Sequence, residues 1–190
     1  MSRADGAARF LEAATALGIA GGVSALTMQG IAAEAGVSKA LVLYHFDDKR
    51  ALLQTLALRL ATADAAKLRA AGDAEDPFAA WLALGSDATA CGARALLCAL
   101  MLEPAVREVA PDLLAVRERG ASALALAMLG AAGLQPKLAP ALLGRLLLQQ
   151  LDGISAAARQ DADAALDAFA LALLALGEED GAVSREASPG

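Results

Sequence analysis

The sequence predicts an all-α protein, and three observations support this. Hydrophobic residues make up 57% of the 190 residues, whereas aromatic residues make up only 3%. Alanine and leucine dominate and β-branched residues are scarce, a composition that favours helices. Apolar residues also recur at helical spacing, and no stretch has the pattern of a strand. The apolar content exceeds what one core needs, which suggests an additional partner or ligand cavity.

The first predicted helix covers residues 5–20. Phe10 and Ala14 recur at helical spacing within it, and the Gly21–Gly22 pair ends it.

Two N-cap residues predict the next two helices. Thr27 precedes a periodic stretch over 28–35, and Ser38 opens the stretch 39–46. Gly36, between them, suits the positive φ of a tight turn after a helix. Two short helices joined by such a turn predict a helix-turn-helix, and therefore a three-helix head.

A long helix is expected from Lys49 to about Ala71, with Asp47 or Asp48 as its N-cap and Gly72 as its end. Its apolar stripe consists of Leu52, Leu53, Leu56 and Leu60. Further helices are expected after Asp76–Pro77, over 89–101, over 112–131, from Pro140 to about 159, and from Asp161 or Asp163 to near 177. The predicted domains are a head over 1–48, a helical body over 49–178 and a disordered tail over 179–190.

Charge is distributed unevenly along the chain, whose net charge is −6. The first 70 residues contain eight basic and six acidic residues, whereas the remainder contains eight basic and sixteen acidic residues. A mildly basic head on an acidic body is a weak indication of nucleic acid at one end.

Membrane, metal and secretory classes are disfavoured. The uncharged run 13–33 is as long as the roughly 20 residues of a membrane span, but its two glycines indicate two short helices instead. Cys91 and Cys98 are about 10.5 Å apart along one helix, too far for a disulfide, so free buried thiols in a reducing cytoplasm are expected. With one histidine and no Cys-x-x-Cys pair, no zinc site or cofactor is expected.

Residues 9–53 resemble the DNA-binding head of the TetR family of bacterial transcriptional regulators. The residues that carry the resemblance are Phe10, Ala14, Thr27, Ile31, Ala32, Ala35, Gly36, Val37, Ser38, Tyr44, His45, Phe46, Lys49, Leu52 and Leu53. The resemblance implies a homodimer with a TetR-like helical bundle behind the helix-turn-helix.

The resemblance also implies contacts with a double-stranded DNA operator. The implied DNA-binding residues are Thr27, Gln29, Ser38, Lys39, Ala40, Leu43, Tyr44, His45 and Lys49. Thr27 and Ser38 open helices, where free amides favour phosphate, and the two lysines can neutralise phosphates. Alternative interpretations remain for several of them: Tyr44 as a core aromatic, His45 as a structural histidine, and the lysines as solvated surface.

The sequence departs from the family pattern inside the predicted recognition helix. Ala40 replaces a usual glycine, Leu41 a polar residue, and Leu43 a tyrosine, while Gln29 stands where arginine is common. Neither leucine can donate a hydrogen bond to a base, and each can at best contact a thymine methyl group.

The body carries two further sets of implied residues. The effector pocket set is Phe78, Trp81, Leu97, Met101, Met128, Gln149 and Asp152. The dimer interface set is Leu146, Gly153, Phe169 and Leu173. For the apolar members ordinary core is the alternative, and for Gln149, Gln150 and Asp152 it is solvent exposure.

The functional prediction is a ligand-responsive DNA-binding transcriptional regulator, a repressor that a small, mostly apolar effector releases from a palindromic operator. The alternative is a dimeric ligand- or protein-binding module of the same fold with weak or lost DNA recognition. An enzyme is disfavoured, because no phosphate loop is present and neither cysteine has a histidine close in sequence.

Overall fold

The computed structural model of the protein describes residues 3–156 and 162–179. This part of the chain is helical apart from connecting segments and two three-residue strands. The elements in chain order are α1 (Arg3–Gly21), a 3-10 turn (Val23–Ala25), α2 (Met28–Glu34), α3 (Lys39–His45), α4 (Lys49–Gly72), α5 (Pro77–Ser86), α6 (Ala88–Leu102), α7 (Ala110–Ala131), β1 (Leu134–Pro136), α8 (Pro140–Ala156), α9 (Ala162–Leu174) and β2 (Gly177–Glu179).

The predicted helix starts in the head are confirmed by their caps. Thr27 Oγ1 accepts a 2.9 Å hydrogen bond from the Gly30 amide, and Ser38 Oγ accepts one of 3.3 Å from the Leu41 amide. Gly36 has φ of +64°, the left-handed conformation that the turn requires. Local chemistry therefore determines where α2 ends and α3 begins.

The long helix and its successor also begin as predicted. Asp48, rather than Asp47, caps α4, because its Oδ1 accepts a 2.7 Å hydrogen bond from the Ala51 amide. Asp76 caps α5 with bonds from two amides, and Pro77 lies in the first turn. The apolar stripe of α4 is buried at Leu52, Leu53, Leu56 and Leu60.

The expectation that the chain has no strand is wrong. β1 and β2 pair antiparallel, with Leu134 opposite Glu179 and Pro136 opposite Gly177. Gly177 lies so close to β1 that an added Cβ would be 2.7 Å from the Leu134 Cβ. Strands of three residues are too short to produce a pattern, and their partners lie more than 40 residues apart in sequence.

Some expectations for the C-terminal region fall outside the described residues. α8 is described to Ala156, so its predicted continuation to 159 is not covered, and neither are Asp161 and the tail beyond Glu179. Asp163 lies within α9, which begins at Ala162, and is therefore not its N-cap.

The chain divides into two compact units. The first comprises residues up to 63 together with 92–115, and the second comprises 64–91 together with residues from 116 onwards. The core of the first unit joins the three head helices to the first half of α4 and to residues of α6 and the segment after it. The predicted functional boundary after residue 48 stays a prediction, since compactness follows packing and not function.

The two cysteines agree only in part with expectation. Cys91 and Cys98 form no disulfide in the structure. Cys91 is buried, with its Sγ 3.1 Å from the Gly85 carbonyl oxygen, to which it donates. Cys98 is half-buried, so the expectation that both are fully buried is wrong for this residue.

Candidate nucleic-acid interface

The helix-turn-helix is held together by buried apolar side chains from all three head helices. Phe10 of α1, Ile31 of α2 and Val42 of α3 are completely buried, and Phe46 is nearly so. Arg9 adds a polar link, because its Nη2 donates a 2.6 Å hydrogen bond to the Ala35 carbonyl oxygen at the end of α2. This bond satisfies a carbonyl that the helix end would otherwise leave without a partner.

One face of α3 is exposed, and it carries four of the predicted contact residues. Lys39, Ala40, Leu43 and Tyr44 are exposed, with Leu43 at 39% and Tyr44 at 65% of full exposure. Leu41 is half-buried and packs against the core of the first unit. Leu41 and Leu43 therefore do not share one face, because residues two apart in an α-helix lie about 200° apart around its axis.

The remaining predicted contact residues at the helix starts are also exposed. Thr27, Gln29, Ser38 and Lys49 all lie on the surface. The oxygens of Thr27 and Ser38 accept capping bonds, but each hydroxyl hydrogen stays available to donate. Among the described residues, neither Lys39 nor Lys49 has an ion-pair partner.

His45 differs from the other members of the set, because it is half-buried between helices. Its ring meets Phe10 edge-on at a centroid distance of 5.0 Å and Tyr44 at 5.5 Å. Its Nδ1 is buried without a hydrogen-bond partner in the described part of the chain. This environment favours the structural interpretation of His45, which holds the last turn of α3 against α1.

The predicted effector residues are divided between the two compact units. Leu97 is completely buried in the core of the first unit, and Met101 packs against that core. In the second unit Trp81 is completely buried: its indole Nε1 donates to the Leu166 carbonyl oxygen at 3.2 Å, and its ring lies 5.2 Å from that of Phe169. In the same unit Phe78 is half-buried, Met128 is completely buried and Gln149 is exposed.

A buried ionic cluster in the second unit was not foreseen from the sequence. Arg117 of α7 is completely buried and donates from Nε to Asp64 Oδ2 at 2.8 Å. Its two terminal nitrogens donate to the two carboxylate oxygens of Asp152, at 2.6 and 3.0 Å. The alternative interpretation of Asp152 as a solvent-exposed residue is wrong, because this ion pair holds it half-buried.

The cluster changes the acidity of the arginine. Burial by itself would lower the pKa of Arg117, but hydrogen bonds and charge from Asp152 and Asp64 raise it above its ordinary value. Arg117 is therefore a permanent cation at the centre of two carboxylates. The only sequence signal for it was the presence of single charged residues inside apolar helical stretches.

The predicted dimer residues differ in accessibility. Gly153 of α8 is exposed, and a Cβ added there would meet nothing within 4 Å. Leu146 and Phe169 are half-buried, and Leu173 is completely buried within its own unit. The exposed leucine of α9 is Leu171, at 69% of full exposure.

A separate cavity of about 320 Å³ lies in the first unit. Three polar and three apolar side chains line it, and one of the polar groups, Gln54 Nε2, donates to the Ala105 carbonyl oxygen at 2.9 Å. Its lining residues are Gln54, Thr55, Leu58, Val109, Asp112 and Leu113. This volume is within the range of small-molecule sites, although none of these residues was predicted.

Within the described ranges, no helix combines the length and apolarity needed to cross a membrane.

Comparison with known proteins agrees with this geometry. Residues 10–56 match the family model of the bacterial regulatory proteins of the tetR family. No curated protein is significantly similar to the chain in sequence.

Solved structures match over nearly the whole chain at low identity. A transcriptional regulator from Rhodococcus sp. Rha1 is 21% identical, with a TM-score of 0.70, and the match covers 90% of this chain and 97% of that one. A TetR-family regulator from Agrobacterium tumefaciens is 20% identical, with a TM-score of 0.66 and coverages of 93% and 100%. The reduced form of NemR from E. coli is 15% identical, with a TM-score of 0.69 and coverages of 93% and 99%. At these identities the structures establish the fold alone, whereas the match to the family model confirms the predicted resemblance of the head.

Proposed function

This chain carries the TetR-family head on the TetR-family fold, and from that premise we propose that it is a DNA-binding transcriptional regulator. The single observation that supports DNA binding best is the exposed face of α3, with Lys39 at its start. In a helix-turn-helix, this face of the second helix enters the major groove. Lys49 at the start of α4 adds a second cation with no ion-pair partner among the described residues.

The proposed contacts divide into two kinds. Lys39, Lys49 and the hydroxyls of Thr27 and Ser38 contact phosphates, which sets the position of the head on the duplex. Ala40, Leu43 and Tyr44 lie on or beside the base edges, where sequence is read. Gln29 of α2 is exposed as well and is a further polar contact.

We propose further that the protein acts as a cytoplasmic homodimer and represses its target genes. Two recognition helices about 34–36 Å apart, or a multiple of that, match successive turns of a palindrome. The exposed Gly153 and the exposed leucines of α8 and α9 supply the surface for the two-fold contact.

In the proposed mechanism a small, mostly apolar effector in the body releases the operator. The effector favours a dimer in which the spacing of the recognition helices no longer matches the DNA. Such coupling is typically worth about 1–3 kcal/mol. α4 is the natural connection, because it begins with Lys49 and its residues 64–72 belong to the second unit.

A second candidate function is supported by the same exposed face. Ala40 and Leu43 give α3 an apolar surface, which would also suit a dimeric module that binds a ligand or protein and no longer reads DNA. The two functions differ in their dependence on salt, because phosphate contacts release counterions.

Footprinting on the DNA that flanks the gene, followed by salt titration of the affinity, tests the proposal. The logarithm of the binding constant should fall by about 0.9 per logarithmic unit of salt for each neutralised phosphate. Lys39→Ala and Lys49→Ala should each make that slope shallower by about 0.9, the value for one phosphate contact. Lys137 is an exposed lysine of the second unit, and Lys137→Ala should leave the slope unchanged. An affinity that does not depend on salt, or no affinity, would support the second candidate.

A further inference from the structure

The outer face of α3 is apolar where it should meet base edges. Ala40 and Leu43 are three residues apart, so they lie one above the other on a single helix face. Both are exposed, and neither carries a hydrogen-bonding group in its side chain. Of the residues on this face, Lys39 lies at the start of the helix, and Tyr44 lies in its last turn.

The buried side chains of α3 fix the rotation of this helix about its own axis. Val42 is completely buried and Phe46 nearly so, while Leu41 packs against the same core. The His45 ring is held between Phe10 and Tyr44. The buried side of α3 therefore determines that Ala40 and Leu43 point outward.

In the major groove only one of the four standard bases offers an apolar group, the C5 methyl of thymine. A leucine against a G·C pair would instead remove water from donors and acceptors without replacing their hydrogen bonds, which is unfavourable. We infer that Ala40 and Leu43 read thymine methyl groups, so that the operator half-site carries A·T pairs where α3 enters the groove. This inference rests on the proposed DNA-binding function and specifies its sequence class.

The test starts with selection of binding sites by the full-length protein from a random pool of duplexes. Enriched half-sites should share A·T pairs at fixed positions. Each thymine is then replaced by deoxyuridine, which removes only the methyl group. Affinity should fall about fourfold for each contacted methyl, the effect expected for one buried carbon group.

Leu43→Ala identifies the side chain that makes the contact. This exposed position tolerates truncation, and in the variant the penalty for deoxyuridine should disappear at one position of each half-site. Leu102→Ala, which truncates another exposed leucine of the first unit, should keep the full penalty.

The outcomes separate this inference from the function on which it rests. Enriched half-sites with G·C pairs at the contacted positions, or full affinity for deoxyuridine duplexes, would overturn the methyl readout and leave DNA binding intact. A selection that enriches no sequence at any salt concentration would overturn both.

Discussion

Arg117 and Asp152 form a two-bond ion pair inside the second unit, with nitrogen–oxygen distances of 2.6 and 3.0 Å. A third bond from Arg117 reaches Asp64, so one arginine joins side chains of α4, α7 and α8. All three charges are wholly or largely removed from water. Such clusters add little net stability compared with apolar packing, but loss of one partner is costly because the other charges stay buried.

Replacement of the arginine is therefore expected to destabilise the second unit strongly. Arg117→Met leaves the carboxylates of Asp64 and Asp152 close together without their guanidinium, at a cost of about 3–5 kcal/mol in the free energy of unfolding. Urea unfolding followed by the fluorescence of Trp81, the only tryptophan, measures this cost. Arg145→Met is the matched control: the guanidinium of Arg145 is exposed to water, which weakens its ion pair with Glu118, so this substitution should cost much less than Arg117→Met.

Asp87 makes a pH-dependent contribution to the free energy of unfolding. Its Oδ1 accepts hydrogen bonds from the Ala90 and Thr89 amides at the start of α6, and Lys67 lies 3.3 Å from Oδ2. The bond from Ala90, more than the other contacts, holds the pKa of this carboxyl below its ordinary value, although burial opposes it. The folded state therefore favours the ionised form.

Asp87→Ala should cost about 0.5–2 kcal/mol at neutral pH, the usual value of an N-cap. Because the folded pKa is depressed, this stability is present above the ordinary carboxyl pKa of about 3.9 and is lost as pH falls through the folded pKa. Unfolding free energies of the two proteins should therefore converge in acid. Asp87→Asn, which keeps an acceptor for the amides, should retain most of the stability at neutral pH but lose its pH dependence.

The head could be predicted from sequence because its signals act over short distances. Thr27 and Ser38 cap helices three residues away, and Gly36 adopts the conformation that its position requires. These effects involve the backbone of neighbouring residues and need no knowledge of the tertiary fold. The DNA contacts that the family resemblance implies for Lys39 and Tyr44 require exposed side chains, and both are exposed.

The features that the sequence did not reveal depend on pairs distant along the chain. Arg117 is 53 residues from Asp64 and 35 from Asp152. β1 and β2 are separated by α8 and α9. Which of Leu41 and Leu43 faces the core depends on the packing of α3 in the first unit, and the chemistry of two identical side chains does not reveal it.

Gly6 provides a test of the packing that holds α3. A Cβ at this position would lie 2.6 Å from Cε1 and 2.8 Å from Nε2 of His45, and the ring is confined by Phe10. Gly6→Ala should therefore destabilise the head by about 1–3 kcal/mol, despite the better helix propensity of alanine. DNA affinity should fall with it, because the last turn of α3 has to move.

Gly130→Ala is the control for this prediction. Gly130 lies within α7, where an added Cβ meets nothing within 4 Å, so alanine should stabilise by about 0.5–1 kcal/mol. Unfolding monitored by Tyr44, the only tyrosine, reports on the head. Equal stabilisation by both substitutions would show that the His45 ring is not fixed against α1.

Gly153 allows the proposed two-fold contact to be tested without disturbing the fold of the chain. Its Cβ position is open, so Gly153→Arg adds a long charged side chain to the surface of α8 and should leave the unfolding free energy within about 0.5 kcal/mol. If α8 faces its copy across a two-fold axis, two arginines meet at the axis and repel each other. Sedimentation should then show monomers, and affinity for a palindromic duplex should fall much more than affinity for a half-site.

Gly130→Arg introduces the same charge at another open helical position, outside the predicted interface, and should remain dimeric. A dimeric Gly153→Arg protein with full affinity for the palindrome would show that the interface lies elsewhere, and the exposed Leu171 of α9 would be the next position to substitute.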